Sequence, residues 1–131
     1  MTQIERSNLI KDAVNTAKKI IVCKKALLNL LNLESELKIL CVDPEWIGTK
    51  RIEVMKIKHN LESLLRTLLF PIISDTYKQF AYEYTISQTE INEGVVELRV
   101  IKRAQTWEYT GERYLLYLHS GEILPEKLKV F

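Results

Sequence analysis

Histidine and cysteine are the first residues to ask for chemistry, and the chain holds two of each. His59 and His119 stand sixty positions apart, and Cys23 and Cys41 eighteen apart, with no CxxC. Metal sites need clustered His, Cys or carboxylate ligands, so no metal is expected and no ligand is assigned. His59 falls on the polar side of its helix and reads as solvated, while His119 at a strand end reads as structural. Phosphate-binding, dinucleotide, nucleophile-elbow and zincin signatures are all absent. Glu97 and Glu108 could meet across a hairpin as a carboxylate pair, but opposed charges on a solvated sheet face are the simpler account. No catalytic or cofactor-binding residue is assigned, and the chain is expected not to be an enzyme.

Basic residues carry more pattern. Lys11, Lys18 and Lys25 recur every seven positions, with Lys19 beside them, and Lys50, Arg51, Lys56 and Lys58 open a second helical segment. Such a stripe suffices for contact with a phosphate backbone. Arg99, Arg103, Trp107 and Tyr109 add the basic and aromatic mixture on which single-stranded bases can stack. Lys11, Lys18, Lys25 and Arg51 are therefore the candidate nucleic-acid contacts. Against this, acidic side chains are interspersed throughout, and a solvated helix face is the simpler reading of each lysine.

These residues must be positioned by long elements, because the 131 residues include only four Gly and three Pro. With 47% apolar and 27% charged residues, the composition is that of one globular domain, 1–131, large enough for a core without staples. The net charge is +2. Residues 1–69 carry 12 basic and 8 acidic side chains, and residues 70–131 carry 7 and 9, a weak asymmetry that favours contact between copies. No apolar run approaches the roughly 20 residues of a membrane span. The start, MTQIERSNLI, lacks a signal-peptide apolar region. A cytosolic, or host-intracellular, location is expected.

The stretch Ile4 to Phe70 predicts two antiparallel helices joined by a loop at Cys41–Lys50. At about 100° per residue, Leu9, Ile10, Ala13, Val14, Ala17, Ile20, Ile21, Leu27, Leu28 and Leu31 share one broad face. Lys24 falls inside that arc. Its stem should pack while its ammonium reaches water, or it should meet a buried partner such as Glu62. Near Asn32 the face changes direction, so a break is expected there, then a short helix to about Leu40 carrying Leu33, Leu37 and Leu40. Asp43-Pro44 should open a single helical turn, and Trp46 should anchor the connection on the core. Thr49 is the predicted N-cap of the second helix, which Gly48 separates from what precedes it and Pro71 ends or kinks. Cys23 should be a small buried hydrophobe.

From about Phe80 the period becomes two. Phe80, Tyr82, Tyr84 and Ile86 alternate as in a strand; Gln88–Gly94 reads as a polar loop. Val96–Ile101, Trp107–Tyr109 and Tyr114–Leu118 follow, separated by turns at Ala104-Gln105 and Thr110–Glu112. After a turn at Ser120-Gly121, Leu128–Val130 suits a charged edge strand. The predicted fold is α+β: a long antiparallel helical hairpin over residues 1–79, then an antiparallel meander of about four strands over 80–131.

In length, in richness in Lys, Ile, Leu and Glu, and in lack of motif, the chain resembles the small structural or accessory proteins of crenarchaeal viruses. That resemblance implies a structural or accessory role and transfers no site residue. Broad apolar helix faces and free strand edges point the same way, to a non-enzymatic, self-associating structural or protein-interaction protein and a homo-oligomer. Leu33, Leu37, Leu40 and Trp46 are the candidate interface. Nucleic-acid binding through the basic stripe is the alternative, and no small-molecule substrate or cofactor is inferred.

Overall fold

A computed structural model describes residues 1–92, 94–102 and 108–127, the side chains of 108–112 and 127 excepted. The first helix, α1, spans Gln3–Ile39 and the second, α2, spans Glu45–Thr76. Thr2 caps α1 by accepting the Glu5 N–H at 3.1 Å, and Glu5 and Lys38 suit the two ends of the helix dipole. The break expected near Asn32 is not there. Arg6, Leu9, Ala13, Thr16, Ile20, Cys23, Leu27, Leu30, Glu34 and Leu37 alternate in steps of three and four, and every one is buried or half-buried. On α2, Ile47, Arg51, Val54, Lys58, Leu61, Leu65, Leu68 and Ile72 do the same. This is the seven-residue seam of an antiparallel coiled pair, which drifts about 20° per heptad against a 3.6-residue wheel. The apparent change of face at Asn32 is that drift for Leu37, while Leu33 and Leu40 lie outside the seam.

Two sets of polar contacts hold the helices in register. Near the closed end Arg51 donates to Glu34, which also meets Lys38 at 3.1 Å. At the open end Arg6 donates to the Thr76 hydroxyl at 2.7 Å, and the N-terminal ammonium lies 3.6 Å from Asp75. The connection is shorter than predicted. Leu40 ends α1, Cys41 turns left-handed at φ 59, and the N–H groups of Cys41 and Val42 bond back to Lys38 and Leu37. That is a Schellman ending with cysteine where glycine is usual.

Asp43 accepts the Glu45 N–H at 3.0 Å, so the expected single turn is the first turn of α2. Thr49 therefore lies inside α2 and caps nothing, and Gly48 does not interrupt it. Ile47, fully buried, anchors this end, whereas Trp46 is 54% exposed. Pro71 does not stop α2 either. It removes one helix N–H, which costs about 3 kcal/mol in a helix interior. Leu69, Ile72 and Ile73 beside it are fully buried, each contributing roughly 1.5–3 kcal/mol, and together these outweigh the loss.

After α2 a single helical turn, α3, covers Phe80–Glu83. The alternation read as a strand from Phe80 is instead an i, i+4 pair: Phe80 is buried, Tyr82 is exposed, and the Phe80 and Tyr84 rings stack at 6.0 Å. Phe80 also meets Phe70 at 5.5 Å and Tyr114 at 5.3 Å.

Four strands follow: β1 Tyr84–Asn92, β2 Val95–Lys102, β3 Glu108–Tyr117 and β4 Ile123–Lys127, all antiparallel in the order β1-β2-β3-β4. Gln88–Asn92 is strand rather than the expected loop, because Thr89 and Ile91 turn inward to the core. A bulge at Ser87, whose hydroxyl bonds to the Arg99 carbonyl, breaks the alternation there. β3 likewise runs through the expected turn at Thr110–Glu112. Glu97 lies opposite Glu90 and Leu115, while the Glu108 backbone lies opposite Lys102, so the register does not set Glu97 and Glu108 across from each other. Arg103, Ala104, Gln105, Trp107 and Leu128–Val130 lie outside the described residues.

The core is one layer thick. Val96, Leu98, Val100, Tyr114, Leu116 and Ile123 from the sheet meet Ala13, Ala17, Ile20, Leu65, Leu69, Ile72 and Ile73 from the hairpin. The Ser120-Gly121 turn forms as predicted, with Gly121 at φ 73.

Candidate functional site

The sheet covers only the open half of the hairpin. At one edge the Lys24 ammonium donates to the Ile91 carbonyl of β1 at 2.9 Å. At the other, Tyr77 donates to the Ile123 carbonyl of β4 at 3.4 Å, and Gly121 sits against Ile10. The strands thus cross the helices, stacked from the Lys24 level down to the Ile10 level, about 21 Å along α1. α1 alone is about 55 Å long. The rest of both helices projects past β1 as a two-helix arm that no other element covers among the described residues.

The arm has two broad faces. On the face away from the sheet, Val22, Leu33 and Leu40 of α1 follow each other at eleven and seven residues, and Trp46, Ile57 and Leu64 of α2 do likewise. Steps of three and two turns keep a helix face constant. Val22 lies two residues from Ile20 and from Lys24, and Leu64 two from Glu62, which places both stripes opposite the sheet-facing residues. Val22 is 64% exposed, Leu40 69%, Ile57 53% and Leu64 45%. Of the predicted interface residues, Leu40 and Trp46 lie open on either side of the loop. Leu33 is half-buried at the edge of the stripe, and half-buried Leu37 belongs to the seam.

On the sheet-facing side, two hollows adjoin just beyond β1. An open cleft of about 470 Å³ is lined by Lys24, Lys58, Glu62, Arg66, Thr89 and Ile91 among others. A groove of about 500 Å³ continues from it over Leu27, Leu28, Leu31 and Met55, sharing Lys58, His59 and Glu62 with the cleft. Lys24 does not meet Glu62 directly. Its partner is the Ile91 carbonyl, and Glu62 accepts from Lys58 at 2.8 Å.

No known protein family, curated protein or solved structure matches the chain. Its site residues are therefore read from geometry alone.

Lys11, Lys18 and Lys25 are exposed along α1, and none is in an ion pair among the described residues. Arg51 does not join them, because it is spent on Glu34 in the seam. Arg99 lies 3.7 Å from Glu90 on the sheet, and the Tyr109 side chain is outside the description. The stacking platform foreseen with Arg103 and Trp107 thus has no described centre. Hydrogen bonds from Arg51 first, then Lys38, hold the Glu34 carboxyl below its usual value; Lys78 does the same to Asp75, aided by the N-terminal ammonium.

His59 is exposed beside both hollows, and His119 is exposed in the β3–β4 turn. Cys23 is buried, Cys41 is exposed, and both are free thiols. Among the described residues no three His, Cys, Asp or Glu gather as a metal-holding group. No described helix is long and apolar enough to cross a membrane.

Sequence reasoning missed the cleft, since Thr89 and Ile91 had been read as loop. Its one visible signal was a lysine inside an apolar arc.

Proposed function

We propose that the chain is a non-enzymatic interaction protein that self-associates through the hairpin face turned away from the sheet. The carrying observation is the paired stripe Val22–Leu33–Leu40 and Trp46–Ile57–Leu64, whose members other than Leu33 are exposed large hydrophobics. Exposed apolar side chains aligned along one face, here with Asn29, Lys50, Glu53 and Asn60 between them, support an interface there. Each stripe spans eighteen residues, about 27 Å of helix, enough for two hairpins to meet as a four-helix bundle. A closed two-fold dimer is the commonest outcome. With this reading goes an intracellular or virion location.

Sedimentation over a hundredfold dilution series tests it. The mass should be at least twice the 15.3 kDa of one chain, and Ile57→Glu should lower it. Ile57 is exposed in the single chain, so that change leaves the fold intact. A 15.3 kDa species at every concentration sinks the proposal.

One observation favours nucleic-acid binding as the second reading: Lys11, Lys18 and Lys25 stand exposed and unengaged by carboxylates among the described residues.

A further inference from the structure

The cleft at the free edge of β1 holds cations in excess. Lys24, Lys58, Arg66 and Arg99 face Glu62 and Glu90 there. Glu62 engages Lys58 at 2.8 Å, and Glu90 lies 3.7 Å from Arg99. Lys24 and Arg66 have no carboxylate within ion-pair reach among the described residues. Lys24 donates once, to the Ile91 carbonyl, and Arg66 once, to the Ser63 hydroxyl at 3.0 Å. An ammonium has three N–H donors and a guanidinium five, so most of their capacity is unused.

The strand adds a second, independent sign. Thr89 is 8% exposed, yet its hydroxyl has no hydrogen-bond partner among the described residues. Buried hydroxyls are normally satisfied, and one that is not calls for a ligand or an ordered water. Since the Ile91 carbonyl points to Lys24, away from β2, strand geometry turns the N–H groups of Ile91 and Thr89 to the same free edge. Two cationic side chains, the edge amides and, on a turn of its side chain, the buried Thr89 hydroxyl thus line one hollow. Every one of these groups can donate to an oxyanion.

The adjoining groove fixes the rest of the ligand. Leu28, Leu31 and Met55 line it and are 58%, 47% and 55% exposed. The shared wall of Lys58, His59 and Glu62 leaves the two hollows contiguous. We propose that this face binds a single-chain amphiphile, its phosphate or carboxylate head held by Lys24, Arg66 and Thr89 and its alkyl chain laid along Leu28, Leu31 and Met55. The site is on the opposite face from the self-association stripe, so either proposal can fail alone.

Titration of the full chain with monododecyl phosphate below its micelle concentration tests this, read by calorimetry and amide NMR. Saturable binding should shift the Thr89 and Ile91 amides and the Leu28, Leu31 and Met55 methyls. Inorganic phosphate and uncharged dodecyl maltoside should each bind at least about tenfold more weakly, since each supplies half of the recognition. Lys24→Gln with Arg66→Gln should weaken binding by about tenfold or more. Thr89→Val should weaken it while the thermal unfolding midpoint is held or raised. Vesicles containing an anionic phospholipid identify the source. Pelleting with them, lost in the double variant, assigns the head to a membrane lipid; no pelleting beside tight soluble binding assigns it to a free amphiphile. Equal binding of dodecyl maltoside, full binding by the double variant, or shifts confined to other residues would overturn the proposal.

Discussion

Cys41 supplies the sharpest test of the hairpin. It is the left-handed residue of the Schellman ending, at φ 59, and it is exposed with a free thiol. A residue with a Cβ gives up about 1–2 kcal/mol in that conformation. Cys41→Gly removes this strain, but glycine loses about 0.5–1 kcal/mol more conformational entropy on folding. The net gain should be about 0.5–1 kcal/mol, a rise in melting temperature of about 2–5 °C for a chain of this size. Cys41→Ala is the control, since it removes the thiol and keeps the Cβ; it should stay within about 0.5 kcal/mol of the parent, as an exposed substitution does. Urea unfolding under reducing conditions reads all three chains, with an unchanged denaturant slope showing that the native state is the same. If Cys41→Gly is no more stable than Cys41→Ala, the left-handed turn is not where the two helices are joined.

Glu34 should link stability to pH. Its folded carboxyl ionises below its usual value of 4.5 because of Arg51 and Lys38, so its contribution is complete above that value and is lost as pH falls through the lowered one. Acid titration of unfolding should therefore show the parent losing stability relative to Glu34→Gln below about pH 4.5, and parallel curves would contradict the pairing. Gly121→Ala meets both a positive φ of 73 and a Cβ 3.1 Å from Ile10. It should cost about 1–2 kcal/mol in urea unfolding, and no loss would mean the β3–β4 turn does not rest on α1. If nucleic acid binds through Lys11, Lys18 and Lys25, log affinity should fall with log salt at a slope near −2.7 for three phosphate contacts. Filter binding by the triple Lys→Glu variant should then vanish, and sequence-specific binding that survives it would exclude this route.

Element type was legible in the first half because period decides it. Apolar spacing of three and four from Ile4 to Phe70 specifies a hairpin whatever its details. The expected break at Asn32, cap at Thr49 and end at Pro71 do not form, for one reason. Caps and breakers are local preferences of about 1–3 kcal/mol, and a seam continuing on both sides of them outweighs each. The seam itself was hidden by measuring angles at 3.6 residues per turn, and by the polar members Glu34, Arg51 and Lys58 that occupy apolar positions. In the second half, Gln88–Asn92 looked like a loop because the Ser87 bulge shifts the alternation by one residue. The cleft was illegible for the same reason, since it needs Thr89 and Ile91 on a strand edge beside Lys24.

The distribution of burial supports the proposal that the arm meets a second molecule. Of the seam positions under the sheet, Ala13, Thr16, Ile20, Leu65 and Ile72 are buried and Leu9 and Leu68 half-buried, whereas beyond β1 only Cys23 and Ile47 among the seam residues are buried. A two-helix pair with no third layer buries one narrow seam and leaves two faces wet. Here the face away from the sheet carries Val22, Trp46, Ile57 and Leu64, and the sheet-facing side carries Leu28, Leu31 and Met55, all open. On the two readings proposed above, a second copy would cover the first set and an amphiphile the second. The sheet then acts as the anchor that holds one end of the hairpin rigid, and the strand edge it presents at β1 closes the polar end of the groove.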